Sequence, residues 1–144
     1  MGEELWGRTV VPGAGHGSAI VFDEPLSFWG GVDPATGIVI DRRHPQAGQA
    51  LAGRVLVMPS GRGSSSSSSV LAEAVRAGTA PAAIILLVPD PVLALGAIVA
   101  GELYGRTLPM VVLEAAAYGS IHADERLAVQ ADSKGRARIS RSAR

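Results

Sequence analysis

The chain has 144 residues, a formal net charge of zero and no cysteine, and 47% of its residues are hydrophobic while 4% are aromatic. This length suffices for one domain with a core of Val, Ile, Leu and Ala. A nucleic-acid binder needs a basic stripe, and the one basic cluster of this neutral sequence is at its C-terminal end, so we expect no nucleic-acid partner. Without cysteine, the chain itself cannot hold a disulfide or a thiolate-ligated cluster. The three histidines show no metal-ligand spacing, so we expect no metal site in this chain.

Residues 5–52 are rich in Gly and Pro, which predicts short strands separated by turns. The apolar runs that predict these strands are Thr9–Val11, Ala19–Phe22 and Gly37–Ile40. Gly30, Gly31 and Asp33 either line an active site or belong to a turn with an Asx-type hydrogen bond from Asp33. The charged cluster Asp41–His44 is expected to be structural or to lie at a subunit interface.

Three nearly continuous apolar runs follow, and such runs indicate strands buried on both faces of a parallel sheet. The runs are Arg54–Met58, Ala83–Val88 and Met110–Leu113. Two helical patterns lie between them, one ending at Gly78 and one opening at Pro91. Residues 54–113 therefore predict a right-handed strand–helix–strand–helix–strand unit.

The end of the chain gives two different signals. Weak alternation from Leu127 to Ile139 predicts one or two last strands, whereas a basic cluster predicts a solvated, flexible end. The cluster consists of Lys134, Arg136, Arg138, Arg141 and Arg144. We expect one α/β domain over residues 1–144, with an ordered core of about 5–131 and a flexible C-terminal tail. Its parallel central sheet would carry helices on one side and a second layer of short early strands on the other.

Nothing in the sequence predicts entry into a membrane. The N-terminal MGEELWGR lacks the apolar stretch of a signal peptide. Residues 80–113, the most apolar region, are interrupted by Pro, Asp and Gly and do not approach the ~20 apolar residues of a membrane span. We therefore expect a cytoplasmic protein.

The segment Pro59–Ser69, here called the serine loop, is the main candidate site. A serine run alone is typical of a flexible linker, but a linker is not expected inside one α/β unit. The loop joins the carboxyl end of a parallel strand to a helix N-terminus, where ligands and anions bind. Gly61 and Gly63 allow close backbone approach, and Arg62 either pairs with a carboxylate or faces solvent. The loop lacks the lysine of a P-loop and the third glycine of a dinucleotide motif.

This strand–Gly-x-Gly-Ser-Ser–helix arrangement resembles the swivel domain of aconitase and isopropylmalate isomerase, where the pattern reads GxGSSRE. The resemblance implies that Ser64 is the general base and that Ser65 binds a substrate carboxylate. The family's arginine falls on Ser66, which argues against a tricarboxylate substrate. We expect the substrate-binding residues around Ser64 to be Gly61, Arg62, Gly63, Ser65 and Ser66.

Over about residues 7–113 the chain resembles the small subunit of aconitase X, through its FWGGVDP, TG and HP motifs and the serine loop. This resemblance implies a heterodimeric hydro-lyase whose large subunit carries an iron–sulfur cluster and most contacts to a small hydroxy-acid substrate. The family's activities are dehydration of cis-3-hydroxy-L-proline in bacteria and of mevalonate 5-phosphate in archaea. The unbroken serine run looks like the bacterial type, which implies dehydration of cis-3-hydroxy-L-proline to pyrroline-2-carboxylate.

Three alternatives remain open at this point. The chain is the small subunit of a mevalonate 5-phosphate dehydratase, a non-catalytic anion-binding module that uses the same loop, or a structural partner that closes over another protein's site. His16 and His122 are expected to be ordinary surface residues.

Overall fold

The computed structural model describes residues 3–141. Its first two strands, β1 (Glu3–Val11) and β2 (Gly13–Val21), are longer than the short runs predicted. Glycine alternates with other residues in β2, and a Cβ at Gly15 would lie 2.1 Å from the carbonyl oxygen of Ala82. The sequence pattern of glycines therefore marks close backbone approach within a strand rather than turns.

The segment between β2 and the parallel unit contains little regular structure. Phe28–Gly31 forms one irregular turn, α1, in which Gly30 has a φ of 78°. A small hairpin follows, with β3 (Val32–Asp33) paired to β4 (Ile38–Val39). The predicted strand at residues 37–40 is thus confirmed as this hairpin's second arm.

The predicted strand–helix–strand–helix–strand unit is confirmed. Its elements are β5 (Val55–Met58), α2 (Ser67–Ala77), β6 (Ala83–Leu86), α3 (Pro91–Tyr104) and β7 (Met110–Val112). The three strands are buried along their whole length, as continuous apolar runs predict. Gly78 ends α2 with a φ of 79°, and Asp90 caps α3 by accepting from the N–H groups of Val92 and Leu93.

The last elements are α4 (Ala115–Gly119), β8 (Arg126–Ala131) and β9 (Arg136–Arg141). The expectation of a flexible tail is wrong for residues 136–141, because β9 pairs with both β1 and β8. Ala137 and Ile139 are buried, so burial of this alternate face outweighs the charge of the arginines. Arg144 lies outside the described residues.

Seven strands form a closed barrel in the order β1-β7-β6-β5-β2-β8-β9. The neighbours from β2 through β5 and β6 to β7 run parallel, and the remaining pairs are antiparallel. The chain is therefore an α/β protein with a mixed sheet. The predicted second layer of short early strands is wrong in position, because β1 and β2 border the parallel strands in the same sheet.

Two apolar clusters lie on opposite faces of the parallel strands. Side chains of α2 and α3, such as Leu71 and Leu93, pack against Leu56 and Ile84 on the outside. The inner cluster joins the other face of these strands to β8 and β9. Within residues 3–141, the helices are too short or too polar to cross a membrane.

Candidate functional site

The serine loop lies at the carboxyl edge of the parallel strands, as predicted. It is attached to the segment after β2, since Gly61 forms a parallel bridge with Leu26. The backbone N–H of Arg62 donates to the carbonyl oxygen of Leu26 at 3.2 Å. These contacts hold the loop at a fixed place beside the carboxyl ends of β2 and β5.

The two loop glycines are both required by the geometry. A Cβ at Gly61 would lie 2.0 Å from Oδ2 of Asp90, the residue that caps α3. Gly63 has a φ of 89°, in the left-handed region where glycine is favoured. The loop can therefore pass close to the start of α3 only because Gly61 has no side chain.

Ser64 is the first residue of the turn that leads into α2, whose N-cap residue is Ser66. Its Oγ accepts a hydrogen bond from the N–H of Ser66 at 3.1 Å, and its carbonyl oxygen accepts one from the N–H of Ser67 at 3.0 Å. The amides of Gly63, Ser64 and Ser65 donate to no acceptor within residues 3–141. These free N–H groups and the dipole of α2 favour a negative charge beside the Ser64 hydroxyl.

The expected binding residues are close to this hydroxyl but differ in exposure. Ser64 is half-buried, whereas Arg62, Ser65 and Ser66 are exposed. Arg62 forms no ion pair with any carboxylate in the described part of the chain. Its guanidinium is therefore available to a carboxylate or phosphate ligand.

A small cavity opens at the loop. Its volume is about 70 Å³, and it is lined by Leu26, Arg62, Gly63, Ser64, Ser67, Asp90, Val92 and Leu93. Pockets that enclose a small ligand usually measure about 300–1,000 Å³, so this space is too small to enclose a substrate such as a hydroxy acid. A larger cavity of about 560 Å³, beside Trp6 and Val112, shares no lining residue with the serine loop.

The α1 turn flanks the loop on its other side. The N–H of Trp29 donates to Oγ of Ser67 at 3.2 Å, and Oγ of Ser27 donates to the carbonyl oxygen of Trp29 at 3.0 Å. Gly30 and Gly31, which continue this turn, are thus brought to the neighbourhood of the serine loop. Sequence reasoning missed the role of Ser67, because a serine in a serine run carries no signal of burial. It also missed Ser27, which is a single serine between two apolar residues.

Asp33 is not brought to the loop. Its Oδ1 accepts from the N–H of Ala35 at 3.0 Å, the Asx-type turn considered from the sequence. The adjacent Pro34 accepts from the Thr79 hydroxyl at 2.7 Å, just beyond the end of α2. α2 has 11 residues, so at about 1.5 Å per residue Thr79 and the loop lie at opposite ends of a helix roughly 16 Å long. The contacts that Asp33 makes stabilise the hairpin, and its role in an active site stays a prediction.

The histidines and the charged cluster also have structural positions. His44 is buried, its ring lies 4.7 Å from that of Phe22, and its Nδ1 accepts from the N–H of Gln46 at 3.0 Å. Asp41 accepts from the N–H of Arg43 at 3.0 Å. His16 and His122 are exposed. Residues 3–141 contain no group of three or more His, Asp or Glu side chains that could hold a metal ion.

Fold and site together define an α/β domain of the swivel type, which presents a glycine- and serine-rich anion loop at the edge of a parallel sheet. A family model described as the aconitase X swivel domain matches residues 4–139. The chain therefore belongs to the aconitase X swivel domain family, as the sequence motifs predicted.

Relatives with known names agree with this membership. Over 106 residues, or 74% of this chain, it is 56% identical to the cis-3-hydroxy-L-proline dehydratase of Pseudomonas aeruginosa, but it spans only 18% of that protein's length. Over 104 residues, 72% of this chain, it is 48% identical to the phosphomevalonate dehydratase small subunit of Methanothermobacter thermautotrophicus and covers 75% of it.

A solved structure shows the same fold. The crystal structure of Thermococcus kodakaraensis aconitase X in its holo-form matches with a TM-score of 0.82 and 38% identity. The match covers 95% of this chain and 98% of the chain in that structure.

Proposed function

We propose that this chain is the swivel component of an aconitase X-type hydro-lyase that dehydrates cis-3-hydroxy-L-proline, with Ser64 as the general base. The observation that carries the proposal is the hydrogen bond from the N–H of Ser66 to Oγ of Ser64 at the head of α2. The 56% identity to the Pseudomonas aeruginosa dehydratase favours this substrate.

The proposed step removes one water from the substrate. Oγ of Ser64 takes the proton from the α-carbon, the C–H electrons form a C=C bond, and hydroxide leaves from C3. The resulting enamine tautomerises to pyrroline-2-carboxylate. A serine hydroxyl is a weak base, so the Ser66 N–H and the α2 dipole must stabilise its deprotonated form.

The remaining residues of the loop would hold the substrate carboxylate. The free N–H groups of Gly63 and Ser65 are hydrogen-bond donors, and Arg62 supplies a cation without a carboxylate partner in residues 3–141. Ser66 stands where the aconitase pattern has an arginine, so the loop lacks a clamp for a second carboxylate. This favours a monocarboxylate over citrate.

A larger partner completes this proposal. The cavity at Ser64 is far smaller than a substrate pocket, and the chain spans only 18% of the Pseudomonas aeruginosa relative. The chain has no cysteine, so its residues do not fit an iron–sulfur cluster. We propose that a large subunit carries the cluster and most substrate contacts in a cytoplasmic heterodimer.

A second candidate substrate is mevalonate 5-phosphate. The chain covers 75% of the phosphomevalonate dehydratase small subunit of Methanothermobacter thermautotrophicus, which favours this substrate. Against this candidate, the identity is lower, at 48%, and Arg62 is the one arginine that lines the cavity at Ser64.

The test is reconstitution with the large aconitase X subunit from the same genome, under anaerobic conditions. We expect turnover of cis-3-hydroxy-L-proline by the pair and none by either subunit alone, with mevalonate 5-phosphate and citrate offered side by side. Turnover of mevalonate 5-phosphate alone would replace the substrate and leave the dehydratase class standing. A pair that binds these anions but turns over none of them would make the chain an anion-binding module.

A further inference from the structure

Up to Glu102 in its last turn, helix α3 is apolar on its outer side as well as its inner side. Leu93, Ala94 and Ala97 face the core and are buried. On the opposite side, Leu95 is 54% exposed and Ile98 is 48% exposed. The helix contains one charged residue, Glu102, in 14 positions.

A helix at the surface of a free-standing domain normally has a polar outer stripe. Contiguous exposed apolar residues instead mark a surface that another protein covers. We define the α3 outer face as the group of residues on this side of the helix and just before it. These residues are Val88, Val92, Leu95, Ile98 and Val99.

The α3 outer face is continuous with the candidate site. Val92 lines the cavity that also contains Ser64, and the rest of the face extends along the helix from there. A protein that closes over the cavity at Ser64 must therefore also approach Val92 and then Leu95, one turn further along the helix.

The surface beside this face is shaped to receive side chains. A groove of about 280 Å³ lies between α2 and α3 and is partly lined by Ser69, Leu95 and Val99. Its base is formed by close packing of the two helices, since a Cβ at Gly96 would lie 2.6 Å from the carbonyl oxygen of Ser68. The groove is thus a fixed feature rather than one opened by flexible side chains.

We propose that the α3 outer face is the docking surface for the large subunit of the dehydratase, which would insert apolar side chains into the groove. This inference rests on the proposed function. The occupant follows from continuity with the incomplete site, because the covering protein must enlarge the cavity at Ser64 into a substrate pocket. A second copy of this cysteine-free chain would cover the same cavity without supplying the missing cluster ligands.

The test measures binding of the large aconitase X subunit to this chain by titration calorimetry. Leu95→Glu and Leu95→Lys, and Ile98→Glu, should each raise the Kd at least tenfold. If both Leu95→Glu and Leu95→Lys weaken binding, the contact at Leu95 is apolar rather than electrostatic. Ala52→Glu is the control, because Ala52 is exposed in the turn before β5, at the opposite edge of the sheet from the serine loop. The control should bind like the original chain, and all variants should keep its melting temperature.

Activity separates this proposal from the proposed function. With excess large subunit, the complex formed by the Leu95→Glu variant should regain most of the original kcat, because Leu95 takes no part in the reaction. Tight wild-type binding without any turnover would overturn the proposed function and leave the docking surface supported. Unchanged Kd values for the three variants would overturn the docking surface. So would a change confined to self-association of the chain in sedimentation, since that outcome identifies a second copy as the occupant.

Discussion

Oγ of Ser67 accepts a hydrogen bond from the backbone N–H of Trp29 at 3.2 Å, joining two segments that are 38 residues apart. Ser67 is 3% exposed, so this contact is largely shielded from water. The fourth serine of the run is therefore an internal anchor that ties the α1 turn to the first turn of α2. It fixes the position of the loop in which Ser64 lies.

Replacement of this anchor should destabilise the fold. We expect Ser67→Ala to lower the free energy of unfolding by about 1–2 kcal/mol, because the Trp29 N–H is left without its partner. Ser69→Ala is the matched control, since Ser69 is exposed and its replacement raises helix propensity. Urea unfolding of the two variants measures the difference. Equal stabilities would show that the Trp29 contact contributes nothing.

Removal of the Ser64 hydroxyl should affect chemistry more than folding. In the reconstituted pair we expect Ser64→Ala to lower kcat at least ~100-fold, the usual effect of losing a general base. The lost hydrogen bond from the Ser66 N–H should cost about 1 kcal/mol of stability. Steady-state kinetics and urea unfolding measure the two effects, with Ser133→Ala as the control, because Ser133 is exposed in the turn between β8 and β9. If Ser65→Ala abolishes turnover while Ser64→Ala does not, the base is Ser65.

Gly61 should tolerate no side chain. Because a Cβ there would lie 2.0 Å from Oδ2 of Asp90, Gly61→Ala must displace either the loop or the carboxylate that caps α3. We expect a loss of about 1–3 kcal/mol in stability and a fall in turnover. In Gly119→Ala the new methyl group meets no atom within 4 Å, so this variant should be close to neutral. A Gly61→Ala protein with full stability would contradict this close contact.

The ion pair between Arg141, at the end of β9, and Glu125, just before β8, should weaken in acid. Hydrogen bonding by the Arg141 guanidinium holds the pKa of Glu125 below its usual range. A lowered pKa in the folded state gives stability that is present above the ordinary pKa of glutamate, about 4.3, and lost as pH falls through the lowered value. Arg141→Gln should therefore cost about 1–2 kcal/mol at pH 7 and flatten the stability profile between about pH 5 and pH 3.

Urea unfolding at pH 7 and pH 3 checks this prediction. Arg76→Gln is a suitable control, because Arg76 forms an ion pair with Glu73 on the exposed side of α2. That variant should unfold like the original chain at pH 7, since exposed pairs contribute little. If the free energy of unfolding of Arg141→Gln falls as steeply between pH 7 and pH 3 as that of the original chain, other carboxylates cause the acid sensitivity.

Sequence patterns predicted the parallel unit and the serine loop well, because both depend on local order along the chain. Strands such as β5 are continuous apolar runs, and Gly78 marks a helix end by its need for a positive φ. The length of β2 could not be predicted, since glycines such as Gly15 are explained only by the backbone that packs against them. The pairing of β9 with β1 likewise depends on contacts between residues distant in sequence. Because these contacts are not visible in the sequence, the arginines of β9 suggested a solvated tail.

The candidate site shows the same division between local and distant contacts. The motif around Ser64 was visible in the sequence, as was the Asx turn at Asp33 as an alternative to an active-site role. The close approach of Gly61 to the Asp90 side chain was not visible in the sequence, because these residues meet only after β5 and β6 pair. Burial of Ser67 could not be separated from the exposure of its serine neighbours.

The pairing of the first and last strands has a consequence for how this domain can be connected to other polypeptides. Glu3 lies opposite Arg141 in the ladder between β1 and β9, so the chain enters and leaves the fold at one point. Domains with neighbouring ends can be inserted into, or attached to, a longer chain without disturbing their interior. The same geometry makes the domain suitable for circular permutation, with a short peptide joining the two strands and new ends in the exposed turn at Gly48. It also accounts for one fold serving both as a separate subunit and as 18% of a longer enzyme.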